Sequence, residues 1–174
     1  MKKISFLLTI LFCIIISCGN PNPNVNKAGN DELKSLELDH NINKNEMVYK
    51  DIVYVPIYSD IYIDVANQKS LLAATLSIRN TSFKDSLFVS KIDYFDSAGS
   101  LVRSYITKPI GIAPMGTVNY VIEKNDDTGG SGANFIVALN AKSKNVRPLI
   151  QAIMIGEHAN KGFSFSTDGY SLIK

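Results

Sequence analysis

The stretch Leu72-Ala73-Ala74-Thr75-Leu76-Ser77-Ile78-Arg79 decides the fold. Leu72, Ala74, Leu76 and Ile78 alternate with Ala73, Thr75, Ser77 and Arg79. Successive side chains of a strand point to opposite faces, so this rhythm predicts a strand with one face buried. Downstream, Leu87 to Phe95 reads as the next strand, and Asp96-Ser97-Ala98-Gly99 as the turn that returns it through Leu101 to Ile106. Pro109 to Gly116 holds two prolines and two glycines and reads as a corner. Val118, Tyr120 and Ile122 alternate again, then Phe135 to Leu139 follows. Leu149 to Ile155 is a nearly continuous apolar run, the mark of a central strand. Gly162 to Phe165 and Tyr170 to Ile173 finish the chain. Upstream, Ile52 to Tyr58 is β-branched and aromatic, with Pro56 predicting an edge or a bulge. These eight or nine short strands, with no helical period, predict an all-β antiparallel sandwich of immunoglobulin-like architecture. The Trp and paired Cys of antibody-type domains are missing from the sequence.

The 174 residues suit one domain with additions. Met1-Lys2-Lys3 is basic, and Ile4 to Ile16 is a 13-residue run that is apolar except for Ser5 and Thr9. That run is short of the roughly 20 residues a spanning helix needs, and fits the core of a signal peptide. Ile15-Ile16-Ser17-Cys18-Gly19 resembles a bacterial lipoprotein box, which implies cleavage before Cys18 and a lipid on that residue. The expected organisation is a lipoprotein signal peptide over 1–17, a lipid-anchored flexible spacer over 18–47 and a β-sandwich over 48–174. The spacer is Asn-rich, with Pro21 and Pro23 near the anchor and a short helix expected over Asp31 to Leu38. Cys13 leaves with the signal and Cys18 is acylated, so no disulfide staples the domain and a packed core must hold it. Without Lys2 and Lys3, 16 basic and 16 acidic side chains remain. That balance argues against a nucleic-acid partner, which calls for a basic face. Membrane attachment is expected through the lipid, on a periplasm-facing cell-envelope protein.

The most unusual composition lies between the strands, in Glu123-Lys124-Asn125-Asp126-Asp127-Thr128-Gly129-Gly130-Ser131-Gly132-Ala133-Asn134-Phe135. The simplest reading is a long turn, with the carboxylates solvating it and the glycines supplying unusual backbone angles. Asp127-Thr128-Gly129 spells the aspartic-protease tripeptide, but that chemistry needs two carboxylates sharing a proton in a protected cleft. Here charge precedes the Asp, and the tripeptide occurs once. Phosphate binding needs a helix after the glycines, whereas a strand-like run follows. Asn125, Asp126 and Asp127 offer oxygens to calcium, without the twelve-residue ligand spacing.

Several segments, in order, carry a resemblance. They are Tyr54-Val55-Pro56-Ile57-Tyr58-Ser59, Ala74 to Thr81, Asp93-Tyr94-Phe95-Asp96, Gly129 to Phe135, Met154-Ile155-Gly156 and Gly162-Phe163-Ser164-Phe165. From about Val48 to Lys174 the chain resembles domain-of-unknown-function family 3124. In that family's pattern a His often follows the Tyr-Ser pair, where this chain has Asp60. The resemblance implies a bacterial secreted or lipid-anchored protein and carries no established activity.

His40 and His158 stand apart from each other and from any Cys, so no metal site is expected. No Gly-x-Ser-x-Gly elbow is present, and no catalytic residue or cofactor is assigned. The expected function is a non-catalytic binding or interaction module. It presents the loop 125–134, with Asp126, Asp127, Thr128, Gly130, Ser131 and Asn134, to an envelope protein or a glycan. Arg79, Asn80, Arg103 and Tyr58 are its expected supports. Arg79 and Arg103, inside strand patterns, are expected to pair with Asp93, Asp96, Asp126 or Asp127, or to clamp an anion beside the loop. The alternatives are an acid hydrolase using Asp126 or Asp127, and a purely structural envelope protein.

Overall fold

The computed structural model describes residues 33–173 except 41, 44 and 67. The expected signal peptide, Cys18 and most of the spacer lie outside the described residues. Eleven strands occur in order: β1 (Tyr49–Pro56), β2 (Asp60–Tyr62), β3 (Lys69–Arg79), β4 (Leu87–Phe95), β5 (Leu101–Ser104), β6 (Ile110–Ile112), β7 (Thr117–Ile122), β8 (Asn134–Ala141), β9 (Leu149–His158), β10 (Lys161–Asp168) and β11 (Tyr170–Ser171). They form two antiparallel sheets. One runs β11-β1-β8-β4-β5 with β6 also on β4, the other β10-β9-β3-β2 with β7 also on β3. The strand count exceeds the expected eight or nine because β2 and β6 are three residues each, too short to show a rhythm. The expected corner over Pro109 to Gly116 thus contains a strand, with Ile110 and Ile112 paired to Val89 and Leu87.

The core lies between the sheets. The alternation in β3 holds: Leu72, Ala74, Leu76 and Ile78 are all buried. Burying a side chain such as Leu76 stabilises the fold by about 2 kcal/mol. In β4 the buried residues change parity, Leu87 and Val89 first and then Ile92 and Tyr94. The cause is a bulge between Val89 and Lys91, where one extra residue lets both halves face inward. Pro56 ends a strand that β8 pairs along its whole length. Ile57 N–H points to β8, donating to the Ala133 carbonyl. Pro56 therefore faces the other way, beyond the two residues that β11 covers. In β9, Ile150, Ala152 and Met154 are buried, while Leu149, Ile153 and Ile155 remain exposed on the outer face. The strand is central, between β3 and β10, yet only one side of its apolar run enters the core.

The folded body begins earlier than the expected Val48. Residues 33–35 make one helical turn, and Leu33 is 2% exposed within the core. Leu38 N–H donates to the Pro109 carbonyl and Gly111 N–H to the Leu36 carbonyl. Met47 is also buried. The last part of the expected spacer is thus bound to β6, because Leu33 and Leu36 supply apolar surface that composition averaging over an Asn-rich stretch hides.

Candidate functional site

The glycine-rich stretch joins β7 in one sheet to β8 in the other, crossing one end of the sandwich. Asp126 N–H donates to the Glu123 carbonyl at 2.9 Å, closing a first turn. Asp126 Oδ1 then accepts from the Thr128 N–H at 3.3 Å and the Thr128 hydroxyl at 2.5 Å. Gly130 takes φ +71°, a left-handed angle that glycine accepts without penalty, and opens a 3-10 turn over Gly130–Gly132. Gly129 is needed for space instead. Its φ is an ordinary −79°, but a Cβ there would lie 1.9 Å from the Tyr94 hydroxyl.

Two neighbouring segments clamp this loop. The Ser59 N–H and hydroxyl both donate to the Gly130 carbonyl, at 3.1 and 3.2 Å. From the β4–β5 hairpin, the Ser97 N–H and hydroxyl both donate to the Gly129 carbonyl at 2.9 Å. Ser97 Oγ also accepts from Gly132 N–H at 2.8 Å. The Ser131 hydroxyl donates to Asp60 Oδ1 in a short hydrogen bond. The loop is therefore fixed in place without a helix or disulfide.

These contacts bound an open depression of about 640 Å³, lined by Asp60, Tyr62, Lys69, residues 96–98 and residues 127–132. Asp60 is 4% exposed, and Lys69 Nζ lies 3.0 and 3.1 Å from its two oxygens. The hydrogen bond to Asp60 raises the Lys69 pKa, so the ammonium form is favoured. The same Nζ lies 4.9 Å from the centre of the Tyr62 ring. Asp96 caps the hairpin, its Oδ1 accepting from Ala98 and Ser100 N–H groups at 2.9 and 2.8 Å. The Asp127 carbonyl accepts from Gly130 N–H at 3.2 Å, while its carboxylate stands exposed on the rim with no hydrogen-bond or ion-pair partner among the described residues.

Beneath the loop lies an aromatic layer. Tyr94 packs on Phe135 with ring centres 5.5 Å apart, and Tyr105 on Tyr120 at 3.9 Å. The Tyr94 and Tyr105 hydroxyls are buried without a hydrogen-bond partner. Ser59, Thr128 and Gly129 surround the Tyr94 oxygen, none in good hydrogen-bond geometry. Burial raises the pKa of both hydroxyls. The Arg103 guanidinium covers this layer, 5.7 Å from the Tyr105 ring centre and 3.7 Å from the Asp126 carboxylate.

Asp127, Thr128, Gly130 and Ser131 thus line the depression, and Arg103 supports the loop through Asp126, one of its expected partners. Asp126 itself faces Arg103 and Thr128 and is absent from the lining. Asn134 opens β8, paired between Pro56 and Phe95. Tyr58 packs edge-on against Phe165 at 5.8 Å. Arg79 and Asn80 are corrected: they lie at the opposite end of the sandwich. The 11 residues of β3 separate Lys69, at the depression, from Arg79, and at strand rise that is roughly 30 Å. Arg79 Nε donates to Ser77 Oγ, and no carboxylate pairs with it among the described residues. Asn80 is buried and ties a turn, donating to the Asp85, Ile112 and Ala113 carbonyls.

Sequence reasoning missed Asp60, Tyr62, Lys69 and Ser97. Asp60 and Ser131 are 71 positions apart, so only strand pairing joins them. The one local signal was Asp60 itself, standing where the resembled pattern often has His.

The family model described as "Protein of unknown function (DUF3124)" matches residues 50–172. The chain belongs to this family. The DUF3124 match runs from the second residue of β1 through β11, including the depression and the loop over it. Among solved structures, the one described as "Crystal Structure of Thermotoga maritima 1070" is similar, with 13% identity and a TM-score of 0.41. That likeness covers 69% of this chain and 92% of the other. The comparison with curated proteins gives no match.

Proposed function

We propose that this protein is a lipid-anchored cell-envelope binding module without catalysis, held to the membrane through Cys18 and recognising its partner with the depression under the loop 125–134. The observation that carries this reading is a preformed polar surface with one uncommitted group. The loop is hydrogen-bonded to Ser59, Ser97 and Asp60, while Asp127 is left exposed and unpaired on its rim. A surface already ordered loses little freedom when a partner binds.

The acid-hydrolase reading has one point in its favour, since Asp60 and Asp96 line the same depression as Asp127. Each is already engaged, however, Asp60 by Lys69 and Ser131, Asp96 by the hairpin amides. Paired acid chemistry needs a carboxylate free to share a proton with Asp127, and these contacts engage both. The test is retention of solubilised envelope extract and of insoluble peptidoglycan by the immobilised protein. Asp127→Asn should leave the circular dichroism spectrum unchanged and reduce retention. Undiminished retention would remove the loop as the contact surface.

A further inference from the structure

We infer that the depression takes a neutral, hydroxyl-rich ligand, a short glycan segment, bound between Asp127 and the exposed ring of Tyr62. This rests on the binding-module reading and specifies its ligand class. Charge narrows the field first. The lining carries three carboxylates, Asp60, Asp96 and Asp127, against the single ammonium of Lys69. Lys69 is already bound to Asp60, so nothing in the lining would neutralise a phosphate, sulfate or carboxylate group. A metal-bridged ligand is disfavoured too, because no three His, Cys, Asp or Glu among the described residues are grouped to hold an ion.

A cationic ligand gains little for a different reason. Asp60 and Asp96 are committed, leaving Asp127 as the unpaired carboxylate of the lining, exposed to water. A lone exposed ion pair is weak and screened by salt. An apolar ligand is served poorly as well, because it would strip water from the hydroxyls and carboxylates of the lining and gain contact chiefly with Ala98 and the Tyr62 ring. Hydroxyl groups suit these residues. A carboxylate has two oxygens and accepts a pair of adjacent hydroxyls in charge-assisted hydrogen bonds. The Ser131 oxygen, which donates to Asp60, keeps lone pairs for a further hydroxyl. Tyr62 is 57% exposed at the same rim and presents an apolar ring with a polar tip, the complement of a sugar's C–H face and its hydroxyl edge. The volume of about 640 Å³ lies within the range of small-molecule sites and suits a few sugar units.

The experiment is NMR titration of the full chain in detergent with three sets of probes. Chitotetraose, cellotetraose and maltotetraose are the neutral saccharides, a heparin tetrasaccharide the anion and tetralysine the cation. At least one neutral saccharide should shift the amide resonances of Thr128 to Gly132 and of Tyr62, and heparin and tetralysine should not. Asp127→Asn and Tyr62→Ala should each weaken that binding about tenfold or more, as loss of a charge-assisted hydrogen bond or a stacking ring predicts. The Arg79→Ala control, at the far end of β3, should bind as the parent does. The inference is overturned if no neutral saccharide binds, if heparin or tetralysine binds at these residues, or if both variants bind normally. Extract retention that depends on Asp127 while no neutral saccharide binds would overturn the ligand class and leave the binding module standing. Loss of both would remove both.

Discussion

Gly129→Ala should be the most damaging one-carbon change in the site, and its cost can be separated from any backbone effect. The residue sits at φ −79° and ψ −32°, angles that alanine adopts freely. The added carbon would lie 1.9 Å from the Tyr94 hydroxyl oxygen, 2.7 Å from its Cζ and 2.6 Å from Ala133 Cβ. Tyr94 cannot retreat, because it is fully buried with Phe135 and Tyr105 ring centres 5.5 and 6.4 Å from its own. Overpacking of this kind costs about 3 kcal/mol, a large share of a stability near 5–15 kcal/mol. Tyr94→Phe alone should be neutral or up to about 1 kcal/mol stabilising, since it removes a buried hydroxyl that has no partner. The double variant should recover about 1–2 kcal/mol of the Gly129→Ala loss, because the ring and Ala133 contacts persist after the oxygen is gone. Urea unfolding followed by circular dichroism gives all four corners of the cycle, read as midpoint shifts at constant m. Additive effects, or a Gly129→Ala cost below about 1 kcal/mol, would refute the claim that space for Tyr94 fixes this glycine.

Asn80→Ala should cost about 2–3 kcal/mol, since it leaves the Asp85, Ile112 and Ala113 carbonyls and the Ser82 N–H without their side-chain partner. The same urea titration measures it, and saccharide or extract binding should not change. Alkaline pH should unfold the protein. Burial raises the pKa of Tyr94, Tyr105 and Tyr120, and that of Tyr49 to about 12, from an ordinary 10.0. Below pH 10 these phenols are neutral in both states and the stability is complete. As pH rises further the unfolded chain releases protons that the fold retains, so stability falls. The Lys69 ammonium, raised above its ordinary 10.5 by Asp60, acts in the same direction. Tyrosinate absorbance should therefore rise in two stages, the second coinciding with loss of the β-sheet circular dichroism signal. Cys18→Ser should release the protein from the membrane fraction, and mass spectrometry of the parent should find acyl mass on Cys18.

Local chemistry made the sandwich legible. The two-residue rhythm of β3, β7 and β8 is a property of the backbone itself, and water forces one face of each strand into contact with the other sheet. The Asp96–Gly99 turn was legible for the same reason, since Asp96 caps it and Gly99 takes φ +80° within a few residues. The glycine loop was visible as composition, but its role was not. What only the tertiary structure decided is which distant residues meet at it. Asp60 and Ser131 come together because β1 pairs with β8, and Ser97 joins them because β4 flanks β8 on the other side. Arg79 looked like a partner for the loop because charge type carries no information about which end of a strand it occupies. Strand order and direction settled that, and no rule of spacing along the chain encodes them.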